Sequence, residues 1–263
     1  ESDRATAEAA SVAAEHGLAC YETTSSTPQR EGTRSRSSDF HHGLRGRAKS
    51  RRRVLVTAGP TREHIDPVRY LTNESSGRMG FELAAAAARA GDRVTLIAGP
   101  VTLPTPAGVE RIDVVSARDM LAATRRAFRQ ADVLFMCAAV ADWRPLRKRA
   151  GKWRKEKESK DVAFIELVRN PDILATLAGR KGARLVVGFA LETGRGEARA
   201  RAKLRRKGAD YVVLNDERAL GATRTSVTIL GRDRSRRCLQ GQTKRAVAEV
   251  LVRLQVLAQA GSE

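Results

Sequence analysis

Asn73-Glu74-Ser75-Ser76-Gly77-Arg78-Met79-Gly80 lies between an apolar run, Val54-Leu55-Val56-Thr57, and an alanine-rich run over 83–90. The first run reads as a β-strand and the second as a helix. Small polar residues and glycines where a helix begins leave backbone N–H groups free and let a ligand approach closely. The helix dipole adds partial positive charge there, so the turn is suited to an anion. It matches neither G-x-G-x-x-G nor G-x-x-x-x-G-K-[ST]. For Asn73, Ser75 and Ser76 the competing explanation is helix capping, which their residue types also favour.

Working outward from this turn, strand and helix patterns alternate along the chain. Strands are expected over 54–57, 93–98, 109–115, 132–139, 184–189 and 210–214, and helices over 81–90, 117–129, 196–206 and 243–258. Residues 171–177 open a further helix, with Pro171 near its first turn. Residues 225–230 and 237–239 resemble a hairpin. Strands that are apolar throughout belong in a parallel sheet covered on both faces. The expected fold is therefore α/β: a doubly wound, Rossmann-like, mostly parallel sheet with a C-terminal hairpin. Ligand is expected at the carboxyl ends of its strands. Residues 1–50 differ in composition, with a Ser/Thr/Arg/Gly-rich stretch and then a basic one. They are expected to form a disordered tail or linker ahead of a nucleotide-binding domain over 51–263.

The 263 residues carry a formal net charge of +19, yet only 4% are aromatic. Such a charge suits phosphate backbones. However, arginine is spread along the whole chain, and no zinc finger or aromatic stacking platform accompanies it. Nucleic acid is therefore not the expected partner. Three widely spaced cysteines, Cys20, Cys137 and Cys238, form no C-x-x-C pair and suit a reducing, cytoplasmic setting. No apolar run approaches a membrane span, and no secretory apolar region stands at the start.

Several strand ends carry candidate chemistry. After the first strand, Gly59 permits close approach, and Thr61 and Arg62 can donate to phosphate. Asp66 and Arg69 flank Pro67 and can pair with each other. Small residues at 138–141 leave room for a flat ligand. Asp142 stands where a carboxylate could hold a ribose hydroxyl, its bland alternative being an N-cap or a pair with Arg144. The basic run over 148–160 reads as a loop closing over polyphosphate or as a solvated surface. Phe189 either stacks on a base or fills core. Lys203 and Lys207, four apart on one helix face, either reach a triphosphate or face water.

Taken in order, these segments decide between the readings: Val56 to Glu63 (Val-Thr-Ala-Gly-Pro-Thr-Arg-Glu), Ile65-Asp66-Pro67-Val68-Arg69, Thr72 to Gly80, Ala138 to Pro145 (Ala-Ala-Val-Ala-Asp-Trp-Arg-Pro), Lys152-Trp153-Arg154-Lys155, Asn170 to Leu174 and Val187 to Thr193. Together they closely resemble the phosphopantothenate–cysteine ligases of coenzyme A biosynthesis, in their bacterial, CTP-dependent form. The resemblance runs from about residue 53 to 254.

It implies that 4'-phosphopantothenate is activated by CTP as an acyl-cytidylate and then joined to cysteine. Carried onto this chain, it makes Asn73 and Lys152 catalytic. It makes Met136, Cys137, Ala138, Asp142, Lys152, Pro171, Asp172, Ile173, Leu174, Phe189, Lys203 and Lys207 nucleotide-binding. No protein metal cage is implied; Mg²⁺ would bridge phosphates. The resemblance also implies a homodimer, with the strands over 225–239 at its interface, and a phosphopantothenoylcysteine decarboxylase as partner. Arg154 and Arg78 stand where the family has lysines. The runner-up, an NAD(P)-dependent Rossmann-fold oxidoreductase, would need a glycine fingerprint after the first strand or a Tyr-x-x-x-Lys pair. Neither is present: Tyr21, Tyr70 and Tyr211 have no lysine four residues on.

Overall fold

A computed structural model describes residues 51–154, 162–192, 196–216 and 224–260, without the side chains of 216 and 255–260. The tail expected over 1–50 and the distal part of the basic loop, 155–161, lie outside the described residues.

One eight-stranded sheet organises the rest. Its strands are β1 (Arg53–Ala58), β4 (Arg93–Ala98), β5 (Val109–Asp113), β6 (Val133–Met136), β9 (Leu185–Glu192), β10 (Tyr211–Asp216), β11 (Arg224–Gly231) and β12 (Arg236–Thr243). They lie in the order β12-β11-β10-β9-β6-β1-β4-β5. Every neighbouring pair from β10 to β5 is parallel, and β11 and β12 are antiparallel additions. From β1 the chain winds outward through β4 and β5, then returns to β6 on the other side. The strand order thus reverses between β1 and β6, which opens a crevice at their carboxyl ends.

Burial follows from the side-chain period of two. Val54, Val56 and Ala58 of β1 pack on one face, against α1 (Arg78–Arg89) and α5 (Lys244–Ala260) through Phe81, Leu83, Val247 and Leu251. Leu55 points to the other face. There it joins Met120 of α2 (Ala117–Phe128), Leu177 of α3 (Ile173–Ala178) and Leu204 of α4 (Gly196–Lys207). A strand buried on both faces needs apolar residues at every position, which is why β1 and β6 show no alternation.

Helix starts are set locally. Ser116 and Asp119 form a reciprocal capping box on α2: the Ser116 hydroxyl accepts from the Asp119 N–H at 3.2 Å, and the Asp119 carboxylate accepts from the Ser116 N–H at 2.9 Å. Asp172 caps α3, accepting from the Ala175 N–H at 3.0 Å. Pro171 consequently stands one residue outside that cap, and the helix begins later than the sequence pattern predicts.

Two ribbons went unread in the sequence: β2 (Arg62–His64) with β3 (Tyr70–Thr72), and β7 (Trp143–Pro145) with β8 (Leu167–Arg169). Both follow strands that flank the crevice, one after β1 and one after β6.

Candidate functional site

Hydrogen bonds between loops fix the crevice floor. Thr57 Oγ1 accepts from the Ala138 N–H at 3.2 Å and donates to Met136 Sδ at 3.4 Å. Pro60 forms a parallel bridge with Ala139. The expectation that Thr61 donates to phosphate is corrected: Thr61 is fully buried, and its hydroxyl accepts from the Ala141 N–H at 3.0 Å. Its hydroxyl is committed to holding one crevice loop against the other. Arg62 likewise turns away, its guanidinium stacked over the Tyr70 ring at 4.6 Å.

Asn73 does not cap α1. Its side-chain amide donates to the Val140 carbonyl at 3.0 Å, joining the turn before α1 to the loop after β6. Gly77 occupies the N-cap with a left-handed φ of 74° and no side-chain cap. Ser75 Oγ accepts only from the Gly77 N–H, at 3.3 Å. The capping explanation for these polar residues therefore gives way to a turn that leaves the helix start open.

The crevice has two lobes. The smaller, about 450 Å³, is lined by Met136, Asp172, Ile173 and Leu174, with Pro171 and Lys207 beside them. The larger, about 790 Å³, is lined by the turn from Asn73 to Gly80, by Cys137 and by Lys244. Ala138, Val140, Asp142, Phe189 and Lys203 line both lobes. Residues far apart in sequence thus converge where the strand order reverses. Lys152 lines neither lobe. It is exposed on a segment tied elsewhere: the Trp153 N–H donates to Asp66 at 3.1 Å, and Arg69 donates to the Trp153 carbonyl at 2.6 Å.

Charges in the crevice are unevenly committed. Lys207 pairs with Asp172, and Lys203 donates to the Phe189 carbonyl at 2.7 Å. Burial pushes the Lys203 ammonium below its ordinary range; the Glu192 and Asp142 carboxylates pull it partly back, and Arg206 pushes it down again. The pairing considered for Asp142 and Arg144 does not form. Arg144 donates to the Arg169 carbonyl and, at 3.2 Å, to Asn170 Oδ1. Asp142 has no ion pair among the described residues. Burial pushes the Cys137 thiol up to about 12, only partly offset by Lys244, so it stays protonated at neutral pH. Asp66 and Arg69 do pair, at 3.7 Å.

Sequence reasoning passed over Asn215, Thr225 and Lys244, which also line the larger lobe. Each sits in the last third of the chain, in or beside the hairpin, and no local motif marks it. Asn170 entered the sequence reading only within the Asn170 to Leu174 motif. Its side chain donates to the Ala141 carbonyl at 2.9 Å and helps to hold the floor.

These features define a doubly wound α/β protein with a two-lobed, cation-bearing cleft at the switch point of its sheet. The family model described as DNA/pantothenate metabolism flavoprotein C-terminal domain matches residues 49–258, and the chain belongs to that family. It is 51% identical over 166 residues to the coenzyme A biosynthesis bifunctional protein CoaBC of Vibrio cholerae serotype O1, covering 63% of this chain and 41% of that protein. It is 42% identical over 216 residues to the CoaBC of Bacillus subtilis strain 168, covering 80% and 52%. The chain thus spans about half or less of the length of these relatives. Among solved structures, the C-terminal domain of a CoaBC matches with a TM-score of 0.69 at 40% identity, over 80% of this chain and 96% of that one. A DNA/pantothenate metabolism flavoprotein from Streptococcus pneumoniae shares the fold with a TM-score of 0.69 at 22% identity, over 79% and 99%.

Proposed function

We propose that this chain is a phosphopantothenate–cysteine ligase of coenzyme A biosynthesis, using CTP. The observation that carries the reading is the pair of lobes sharing the segment from Ala138 to Asp142. One lobe holds lysines near a flat, small-residue floor. The other holds an uncapped helix start. Two anionic substrates can meet there with their reacting ends at the shared residues. Similarity to CoaBC proteins along the folded part of the chain supports the choice of chemistry.

In this account CTP occupies the smaller lobe. Its base lies against Phe189 and the start of α3, Asp142 takes the ribose hydroxyls, and Lys203 and Lys207 face the phosphates. The carboxylate of 4'-phosphopantothenate attacks the α-phosphorus. An oxygen–phosphorus bond forms, the bond to the β-phosphate oxygen breaks, and pyrophosphate leaves. The cysteine amine then attacks the acyl carbon. A carbon–nitrogen bond forms, the amine gives up a proton, and CMP leaves. The chain supplies positioning and charge neutralisation rather than a nucleophile. Lys152 would reach the nucleotide when its loop closes, from the anchor at Asp66 and Trp153. Asn73 keeps the acyl end in place through its bond to Val140.

Among the described residues, no cluster of three or more His, Cys, Asp or Glu side chains could cage a metal. A Mg²⁺ ion would ride on the phosphate oxygens, supplying charge neutralisation there. We further propose a cytoplasmic homodimer in which β11 and β12, the latter an exposed edge strand, contribute to the interface. A phosphopantothenoylcysteine decarboxylase would be its functional partner, and residues 1–50 would be a tail outside the ligase domain. Among the described residues, no helix is long and apolar enough to cross a membrane.

The test supplies phosphopantothenate, cysteine, Mg²⁺ and one nucleotide at a time, then measures the amide product by mass. Product with CTP is expected. No product with any nucleotide would overturn the reading.

A further inference from the structure

Arg118 and Arg125 stand two helical turns apart on α2 and therefore share one of its faces. With Arg144 of β7 and Arg169 of β8 they line a concave pocket of about 510 Å³, walled elsewhere by Leu121, Ala122 and the 170–171 segment. Arg118, Arg125 and Arg144 line neither lobe of the cleft. The pocket is thus a separate cavity, built on α2 and the β7–β8 ribbon.

Four guanidinium groups meet in it without a carboxylate in the lining. None of the four has an ion pair among the described residues. The carboxylates adjoining in sequence are committed elsewhere: Asp119 closes the capping box of α2, and Asp172 caps α3 and pairs with Lys207. Arg118 is also the second residue of α2, where the helix dipole disfavours a cation. A concave surface of one sign focuses potential and concentrates the opposite ion.

The donors are largely unspent. Arg144 donates through Nη1 alone, to the Arg169 carbonyl and to Asn170 Oδ1. Its Nε and Nη2 make no hydrogen bond among the described residues, which leaves a two-pronged edge suited to two oxygens of one phosphate. Arg169 lies over the Trp143 ring at 5.3 Å, a contact that uses the face of the guanidinium and none of its N–H groups.

We propose that Arg118, Arg125, Arg144 and Arg169 form a binding site for a diphosphate group, either the free ion or one carried by a nucleotide. Two guanidinium groups can grip each phosphate, and Leu121, Ala122 and Pro171 offer an apolar wall for a base. The site stands on these side chains and is independent of the ligase reading. Its occupant is coupled to the smaller lobe. The Asn170 N–H donates to the Asp142 carbonyl at 2.8 Å, and its side chain donates to the Ala141 carbonyl at 2.9 Å. Arg169, Asn170 and Pro171 line both cavities. A diphosphate on the open edge of Arg144 fixes the guanidinium that holds Asn170, and so stiffens the floor of the smaller lobe. Occupancy of the two cavities is thereby linked.

Calorimetric titration of the full chain with inorganic pyrophosphate, without metal and at fixed ionic strength, tests the site without turnover. The double variant Arg118→Gln/Arg125→Gln should weaken one class of pyrophosphate binding by about tenfold or more, as expected for lost charge-assisted contacts. Both side chains are exposed, so its melting temperature should stay that of wild type. Arg118→Lys/Arg125→Lys should recover only part of the affinity, because lysine restores charge without the fork. Arg126→Gln/Arg129→Gln removes the same charge from the same helix outside the pocket and should leave binding near wild type. Equal loss in this control, or no loss in the Arg118/Arg125 variant, would overturn the site. A parallel titration with ADP separates the sources. Tighter binding than pyrophosphate, lost in the Arg118/Arg125 variant, identifies a nucleotide-borne diphosphate; weaker binding identifies the free ion, and either upholds the site. Pyrophosphate should also tighten CMP binding about fivefold or more in wild type and not in that variant; an equal effect in both would overturn the coupling. Site-specific pyrophosphate binding in a chain that makes no amide product would uphold the site and remove the ligase reading alone.

Discussion

The Asn73 side-chain amide donates to the Val140 carbonyl at 3.0 Å, joining two loops that are 67 residues apart in sequence. One loop follows β3 and opens α1; the other follows β6. This bond lies at the switch point of the sheet, and both of its residues line the larger lobe.

Asn73→Asp places a carboxylate oxygen against that carbonyl and reverses the interaction. Pyrophosphate release should persist, while transfer of the acyl group to cysteine should fall on the order of 10²-fold through misplacement of the acyl end. Rapid-quench measurement of pyrophosphate and CMP separates the two steps. If both half-reactions keep wild-type rates, the bond is not part of the mechanism.

Lys203 should give the proposed nucleotide lobe a pH dependence. Its pKa in the folded chain is depressed, chiefly by burial. The cation is fully present only below that value and is lost as pH rises through it, before an ordinary lysine titrates near ~10.4. Between the two values the unfolded chain holds more protons, so stability rises with pH in that window. The KM for nucleotide should climb in the same window, and Lys203→Arg should flatten the climb. A pH profile identical in wild type and Lys203→Arg would contradict the assignment.

Asp66 anchors the basic loop. Burial alone would raise its pKa, but the N–H groups of Trp153, Val68 and Arg69 and the Arg69 charge outweigh that and hold it below the usual carboxylate range. Its contribution is present above the ordinary aspartate value and is lost as pH falls through the depressed one. Asp66→Asn should free the Trp153 segment and lower pyrophosphate release on the order of 10–100-fold by mispositioning Lys152. Trp153 fluorescence should respond to the same substitution. Unchanged turnover would show that the anchor does not serve the loop's chemistry.

Gly80→Ala drives a methyl group into Ala58 at the contact between α1 and β1. Overpacking of this kind costs about 1–3 kcal/mol. The melting temperature should fall by several degrees, and binding in the larger lobe should weaken with it. An unshifted melt would place slack in the contact that the geometry does not have.

The parallel sheet was legible because β6 is apolar at every position and β1 runs apolar without alternation from Val54 to Val56, a pattern that burial on both faces requires. The ribbons β2–β3 and β7–β8 were not legible. Their strands are three residues long and of mixed polarity, and Trp143–Pro145 pairs with Leu167–Arg169 across a long insertion. In the site, Ala138 and the 171–174 segment announce themselves through small residues and proline at strand and helix ends, whereas Met136 and Cys137 came only through the family resemblance. Thr61 misled because a threonine after glycine and proline has the same type whether it faces phosphate or a neighbouring backbone. Thr225 and Lys244 were silent because ordinary residues at a hairpin and a helix start acquire meaning only when the sheet carries them beside α1.

If two lobes bring an inert carboxylate to a nucleoside triphosphate at the segment from Ala138 to Asp142, the first half-reaction proceeds without the amine. The most direct test omits cysteine. Enzyme, 4'-phosphopantothenate, Mg²⁺ and CTP are mixed, and pyrophosphate and CMP are followed separately. A stoichiometric burst of pyrophosphate is expected, with CMP appearing only when cysteine is added. Release of inorganic phosphate with CDP, or no burst at all, would contradict it.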